Sequence, residues 1–81
     1  MLTAENIKTY IESSLPCEHV WVEGDDGVHF HALIVSSEFK GKNVVQQHQL
    51  VYKSLGGRMK QEIHALSMKT LTPEQWAATS Q

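Results

Sequence analysis

The residues of this chain best suited to chemistry are its five histidines, His19, His29, His31, His48 and His64, and its single cysteine, Cys17. A neutral imidazole ligates a metal when one ring nitrogen is free and the other is held by a hydrogen-bond acceptor. His29 and His31 share one face of a strand, so an H-x-H chelate for zinc, copper or nickel is geometrically open. Against it stands the plain reading of two histidines on a half-exposed strand. A lone thiol excludes an internal disulfide and every zinc framework that draws two or more thiolates from one chain. Cys17 directly follows Pro16 and neighbours Glu18, an acidic setting that disfavours the thiolate, so a structural role is expected. Ser67 and Thr70 fall near His64, but no base with an orienting acid can be assigned to them and no nucleophile elbow is present. No catalytic constellation results.

The second possible chemistry is electrostatic. Residues 1–39 carry one lysine against seven acids, a net −6, whereas residues 40–60 carry Lys40, Lys42, Lys53, Arg58 and Lys60 with no acid, a net +5 within a chain of net −2. Lys42, Lys53, Arg58 and Lys60 flank a helix, a double-glycine turn and a second helix, in outline a helix-turn-helix that sets cations against phosphates. The turn reads Leu55-Gly56-Gly57-Arg58-Met59 and lacks the G-x-x-G clamp of a KH nucleic-acid site, and only Tyr52 offers a stacking ring there. The same positive face equally suits an acidic protein partner or plain solvation.

The elements that must position these groups can be read from periodicity. Eighty-one residues allow one domain, and 41% hydrophobic with 20% charged residues describe a globular chain with a small core. Thr3 is placed to cap a helix from about Ala4 to Leu15, with Leu2 stapling against Ile7 and a core stripe of Ile7, Ile11 and Leu15 flanked by Tyr10. Pro16 ends it. Val20 and Val22 alternate with His19, Trp21 and Glu23, and Gly24-Asp25-Asp26-Gly27 turns the chain into a second alternating run from Val28 to Val35. On that run Phe30, Ala32 and Ile34 share one face and His29, His31, Leu33 and Val35 the other.

Val44, Val45, His48, Val51, Tyr52 and Leu55 recur at helical spacing, which predicts a helix from about Lys42 to Leu55 stopped by Gly56-Gly57, with His48 packed in the core. Arg58 to Glu62 has room for one or two helical turns, and Ile63 to Leu71 reads as a third strand. Thr72-Pro73-Glu74-Gln75 opens a short last helix containing Trp76, and residues from about 78 to 81 are expected to fray. The order αββααβα, with a connection long enough for a right-handed parallel crossover, predicts an α+β fold: a three-stranded mixed sheet covered by helices on one face. The start of the chain lacks the basic and apolar regions of a signal peptide and no apolar run reaches membrane-spanning length, so a cytoplasmic location is expected.

The run Phe39-x-Gly41, Gln47-His48-Gln49-x-Val51-Tyr52-x-x-Leu55, Ile63-His64-Ala65-Leu66-Ser67-x-Lys69-Thr70 and Thr72-Pro73-x-x-Trp76 resembles the BolA family over nearly the whole chain. The compact Gly27-Val28-His29-Phe30 turn looks most like the IbaG branch. The resemblance implies a class II KH-like αββααβ fold and a non-enzymatic role beside a monothiol glutaredoxin, with a shared [2Fe-2S] cluster. By the same resemblance His64 matches the histidine that ligates this cluster, and His29 the loop position that supplies a second ligand in many members. Parallel second and third strands would sit side by side, with His29 near the end of one and His64 near the start of the other. Two imidazoles leave a [2Fe-2S] cluster incomplete, so a glutaredoxin cysteine and a glutathione thiol would supply the rest, and nothing need be bound to the isolated chain.

Three roles therefore stand: a cluster-sharing adaptor in iron-sulfur trafficking or iron sensing, a DNA-binding transcriptional regulator using residues 40–60, and a module that self-associates through its sheet edge or the surfaces around Trp21 and Trp76. Alone, the chain is expected to be a monomer or a weak homodimer.

Overall fold

The computed structural model describes residues 2–24, 26, 28–58 and 65–79. Helix α1 runs over Ala4–Ser14, strand β1 over His19–Glu23, β2 over Phe30–Val35, a single 3-10 turn over Ser37–Phe39, α2 over Val44–Leu55, β3 over Leu66–Leu71 and α3 over Pro73–Thr79. The sheet order is β1-β2-β3, with β1 antiparallel and β3 parallel to β2. This is the mixed α+β sheet that the pattern predicts. Beyond Arg58, the expected helical turns at 58–62 and the first residues of the third strand, Ile63 and His64, lie outside the described residues.

Among the described residues, α1, α2 and α3 each start on a reciprocal cap. Thr3 and Asn6 exchange side-chain to backbone hydrogen bonds at 3.1 and 3.2 Å, Asn43 and Gln46 do so at 2.9 and 3.0 Å, and Thr72 and Gln75 at 3.2 and 2.9 Å. The cap at Asn43 moves the start of α2 two residues later than the predicted Lys42. Gly56, with φ +61°, ends it in a conformation that side chains rarely adopt. At the far end of the chain α3 extends through Thr79, whose hydroxyl donates to the Trp76 carbonyl at 2.9 Å.

The pleat separates the sheet into two surfaces. Val20, Phe30, Ala32, Ile34 and Leu66 pack with Ile7, Ile11, Leu15, Phe39, Val51 and Leu55 in one buried cluster under α1 and α2. The other surface carries His19, Trp21 and Glu23 beside His31, Leu33 and Val35, then Ser67, Lys69 and Leu71. It is partly covered as well. Trp76 of α3 reaches the Trp21 ring at 5.4 Å and the His19 ring at 5.5 Å, while His19 and Trp21 stack at 5.1 Å. The last helix thus adds an aromatic cover on the face that α1 and α2 leave open.

The inward face of α2 corrects the periodicity reading. It is made by Gln47, Val51, Ser54 and Leu55, whereas Val44 and Val45 are exposed and His48 is only half-buried. At about 100° per residue, Val45 lies on the side away from Val51 and His48 on the flank, while Val44 sits in the overhanging first turn. Two of the inward residues are polar: Ser54 donates to the Val51 carbonyl of its own helix at 2.6 Å, and Gln47 reaches beyond the helix. Its amide nitrogen donates to the Phe39 and Lys42 carbonyls at 3.3 and 2.9 Å, and its amide oxygen accepts from the Thr70 hydroxyl at 2.6 Å. This one side chain fastens the loop before α2, α2 itself and β3. Replacing it by a hydrocarbon would remove the side-chain donor to the Lys42 carbonyl and the acceptor of the buried Thr70 hydroxyl, and would leave the Phe39 carbonyl with the Lys42 amide alone, at 3.2 Å. Gln47→Leu should therefore cost about 2–3 kcal/mol and Thr70→Val about 1 kcal/mol, read as lowered urea midpoints with an unchanged denaturant slope.

Candidate functional site

At the turn between β1 and β2 the fold builds a shallow hollow of about 440 Å3 lined by Glu23, Gly24, Asp26, His29 and His31. Its shape depends on a glycine, because a Cβ at Gly24 would lie 2.6 Å from the His29 carbonyl oxygen and 2.7 Å from the Phe30 ring. Asp26 organises the turn. One carboxylate oxygen accepts from the Val28 and His29 amides at 2.9 and 2.8 Å, and the other lies 2.9 Å from His29 Nδ1. These bonds draw Val28 and His29 off the ladder, so β2 begins at Phe30 rather than at Val28.

The same contacts explain the charge state. The backbone amide of His29 first, then its ring and the Val28 amide, hold the Asp26 carboxyl well below the usual carboxylate range. An ionised carboxylate only accepts hydrogen bonds, so the proton of the neutral His29 ring belongs on Nδ1 and the lone pair on Nε2. The His29 side chain is 71% exposed. The result is an imidazole clamped through one nitrogen, with the other available to an external electrophile.

His31 follows on β2, opposite Glu23 of β1 and Ser67 of β3, and its Nδ1 hydrogen-bonds the Ser67 hydroxyl. His29 and His31 are thus held by different partners, one in the turn and one on the strand. Among the described residues no three histidine, cysteine or acidic side chains converge in a manner that would hold a metal ion. The donor chemistry present fits a contribution of one nitrogen ligand from this turn to a centre completed by other groups. His64, the other candidate ligand, lies outside the described residues.

The positive segment is dispersed. Lys42 and Lys53 border a hollow with Gly41, Gln46, Gln49 and Leu50. Arg58 instead lays its guanidinium over the Tyr10 ring at 4.8 Å, and Lys40 pairs with Glu74 at 3.0 Å. Lys60 lies outside the described residues. Cys17 is half-buried and donates its thiol to the Leu15 carbonyl at 3.1 Å, and burial, with Glu18 and Glu12 nearby, pushes the thiol up to about 11. Its structural reading agrees with this geometry.

Three features of the site escape the sequence reading: Asp26 as the holder of His29, the His31–Ser67 pair, and the packing of His19 against two tryptophans that also touch each other. An aspartate three residues before a histidine in a turn is the available signal for the first. The others need the strand register.

A profile of the BolA family, described as BolA-like protein, matches residues 1–75. The chain belongs to the BolA family. It is 39% identical over 84 residues to human BolA-like protein 2, covering 99% of this chain and 96% of that protein. A solved bolA protein homologue from Coxiella burnetii superposes with TM-score 0.83 at 42% identity, covering 95% of this chain and 99% of that one. The Haemophilus influenzae DNA-binding transcriptional regulator BolA is 42% identical over 53 residues, covering 65% of this chain and 52% of that protein. Among the described residues no helix is long and apolar enough to cross a membrane.

Two titrations check the turn and the thiol. In a carboxyl-resolved NMR titration Asp26 should protonate well below the other acids, and His29→Ala should bring it part-way back. Because its folded pKa is depressed, its contribution to stability is full above the ordinary carboxylate range and is lost as the pH falls through the lowered value. Cys17 should alkylate slowly at pH 8, its thiolate population about 100-fold below that of an ordinary thiol, and accelerate only towards pH 11.

Proposed function

We propose that this BolA-family chain is a non-enzymatic adaptor that binds a monothiol glutaredoxin and shares with it a glutathione-ligated [2Fe-2S] cluster, in iron-sulfur trafficking or iron sensing. The observation that carries the reading is the Asp26–His29 clamp, a carboxylate-oriented imidazole exposed beside a hollow. His29 directly precedes Phe30, and His64 precedes by two residues Leu66, the partner of Phe30 across the parallel pair. In this reading His29 and His64 supply nitrogen ligands, while the glutaredoxin cysteine and glutathione supply the thiolates. Imidazole in place of thiolate raises the reduction potential of such a centre. Asp26 keeps the His29 proton on Nδ1 and fixes the ring.

A second reading, a DNA-binding regulator, is supported by the printed name of the Haemophilus relative and by the Lys42–Lys53 hollow. The stacking of Arg58 on Tyr10 and the pairing of Lys40 with Glu74 weigh against a free row of cations.

Anaerobic reconstitution with a monothiol glutaredoxin and glutathione should give a coloured heterodimer by size exclusion. His64→Ala should change its visible spectrum, His29→Ala should change it if the turn ligates, and Asp26→Asn should weaken cluster retention by about 10–100-fold while leaving the ligand in place. A spectrum identical in wild type and His64→Ala would sink the ligand assignment. For the second reading, duplex DNA affinity that falls on Lys42→Ala with Lys53→Ala, with a shallower salt dependence, is the expected result.

A further inference from the structure

Strand β1 lies at the edge of the sheet, bonded to β2 on one side. Among the described residues no backbone hydrogen bond from another element reaches its outer side. Edge strands are commonly blunted by lysine, proline or a bulge that discourages pairing with another chain. β1 contains neither lysine nor proline. Trp21 at its centre is 49% exposed, and Val22 on the core-facing side is only half-buried.

The order of residues is what makes this edge specific. His19-Val20-Trp21-Val22-Glu23 is symmetric in chemical character about Trp21 except that its two ends carry complementary groups. In an antiparallel pair centred on Trp21, residues whose numbers sum to the same value stand opposite one another. His19 would meet Glu23 of a second copy, Val20 would meet Val22, and Trp21 would meet Trp21. Each His–Glu contact occurs twice by the two-fold axis, both on the open face of the sheet, where His19, Trp21 and Glu23 already project together. The two valine pairs fall on the core-facing side and continue the apolar layer.

We propose that β1 is a self-recognition edge: two copies of this chain pair antiparallel through His19–Glu23, in register about Trp21, to form a continuous six-stranded sheet. The occupant is a second copy because β1 carries an imidazole at one end and a carboxylate at the other, and reversing the same strand sets each donor ring against a carboxylate. The inference does not depend on the cluster-sharing reading, and its test uses the chain alone, without iron, glutathione or glutaredoxin.

Sedimentation equilibrium over a concentration series up to about 1 mM, a range suited to weak association, should show the mass rising from 9.1 kDa towards twice that value. Glu23→Lys sets lysine against His19, and His19→Glu sets glutamate against Glu23, so each should weaken the dimer about tenfold. The first raises the net charge and the second lowers it, so a general charge effect cannot account for both losses. The double variant H19E/E23K sets glutamate against lysine at both ends and should restore wild-type association. Circular dichroism of each variant checks that the exposed substitutions leave the fold intact. A wild-type mass that stays at 9.1 kDa throughout would overturn the proposal. So would single variants that associate as wild type does, or a double variant no tighter than the singles.

Discussion

The parallel pairing of Phe30–Val35 with Leu66–Leu71 is the constraint on which the rest of the molecule depends. Parallel neighbours cannot be joined by a hairpin, so the chain must leave the sheet after Val35, traverse a helical layer and return in the same direction. That requirement makes α2 a crossover element and accounts for the polar side chain buried beneath it. Gln47 satisfies the Phe39 and Lys42 carbonyls at the entry to α2 and takes the Thr70 hydroxyl on β3, so the outgoing and returning parts of the crossover are joined through one amide. A leucine there would bury more hydrocarbon, yet it would take the side-chain donor from the Lys42 carbonyl and the acceptor from the Thr70 hydroxyl.

The pairing also orders the second surface of the sheet. With β1 antiparallel and β3 parallel to β2, Glu23, His31 and Ser67 fall in one row across three strands, Trp21, Leu33 and Lys69 in the next, and His19, Val35 and Leu71 in the third. The row nearest the β1–β2 turn is polar and opens into the hollow with Asp26 and His29. The row farthest from it is largely apolar, with Val35 fully buried, and the aromatic group of Trp21, His19 and Trp76 lies at this end. One face therefore passes from exposed nitrogen donors to packed rings along its length. The short α3 is positioned by its tryptophan and by the Lys40–Glu74 pair rather than by a buried stripe of its own, since none of its residues is fully buried.

The elements whose signals are local were legible in the sequence. Thr3 before α1 and Thr72-Pro73 before α3 are caps that act within a few residues, and the alternation of β1 depends only on neighbours. The errors arose where distant partners decide. Val44, Val45 and His48 have the right spacing for a core stripe, but the phase of α2 is set by Asn43 at its start and by the needs of Phe39, Lys42 and Thr70, which select Gln47 for the interior. Val28 and His29 continue the alternation of β2, yet the Asp26 carboxylate competes for their amides and keeps them out of the ladder. For the site, the histidine at 29 was visible as a residue type, whereas the carboxylate that fixes its tautomer is apparent only once the turn is closed.

The two kinds of metal-binding side chain in the described part of the chain are treated in opposite ways by the fold. Cys17 is withdrawn into the edge of the core, bonded to a carbonyl and surrounded by acids, so that its thiol holds its proton up to about 11. His29 is extended into solvent, and Asp26 holds its Nδ1, which in the neutral ring places the lone pair on Nε2. The fold therefore keeps the thiol protonated at the core edge while it orients an exposed imidazole, so that nitrogen rather than sulfur is the donor that Cys17 and His29 together present to solvent.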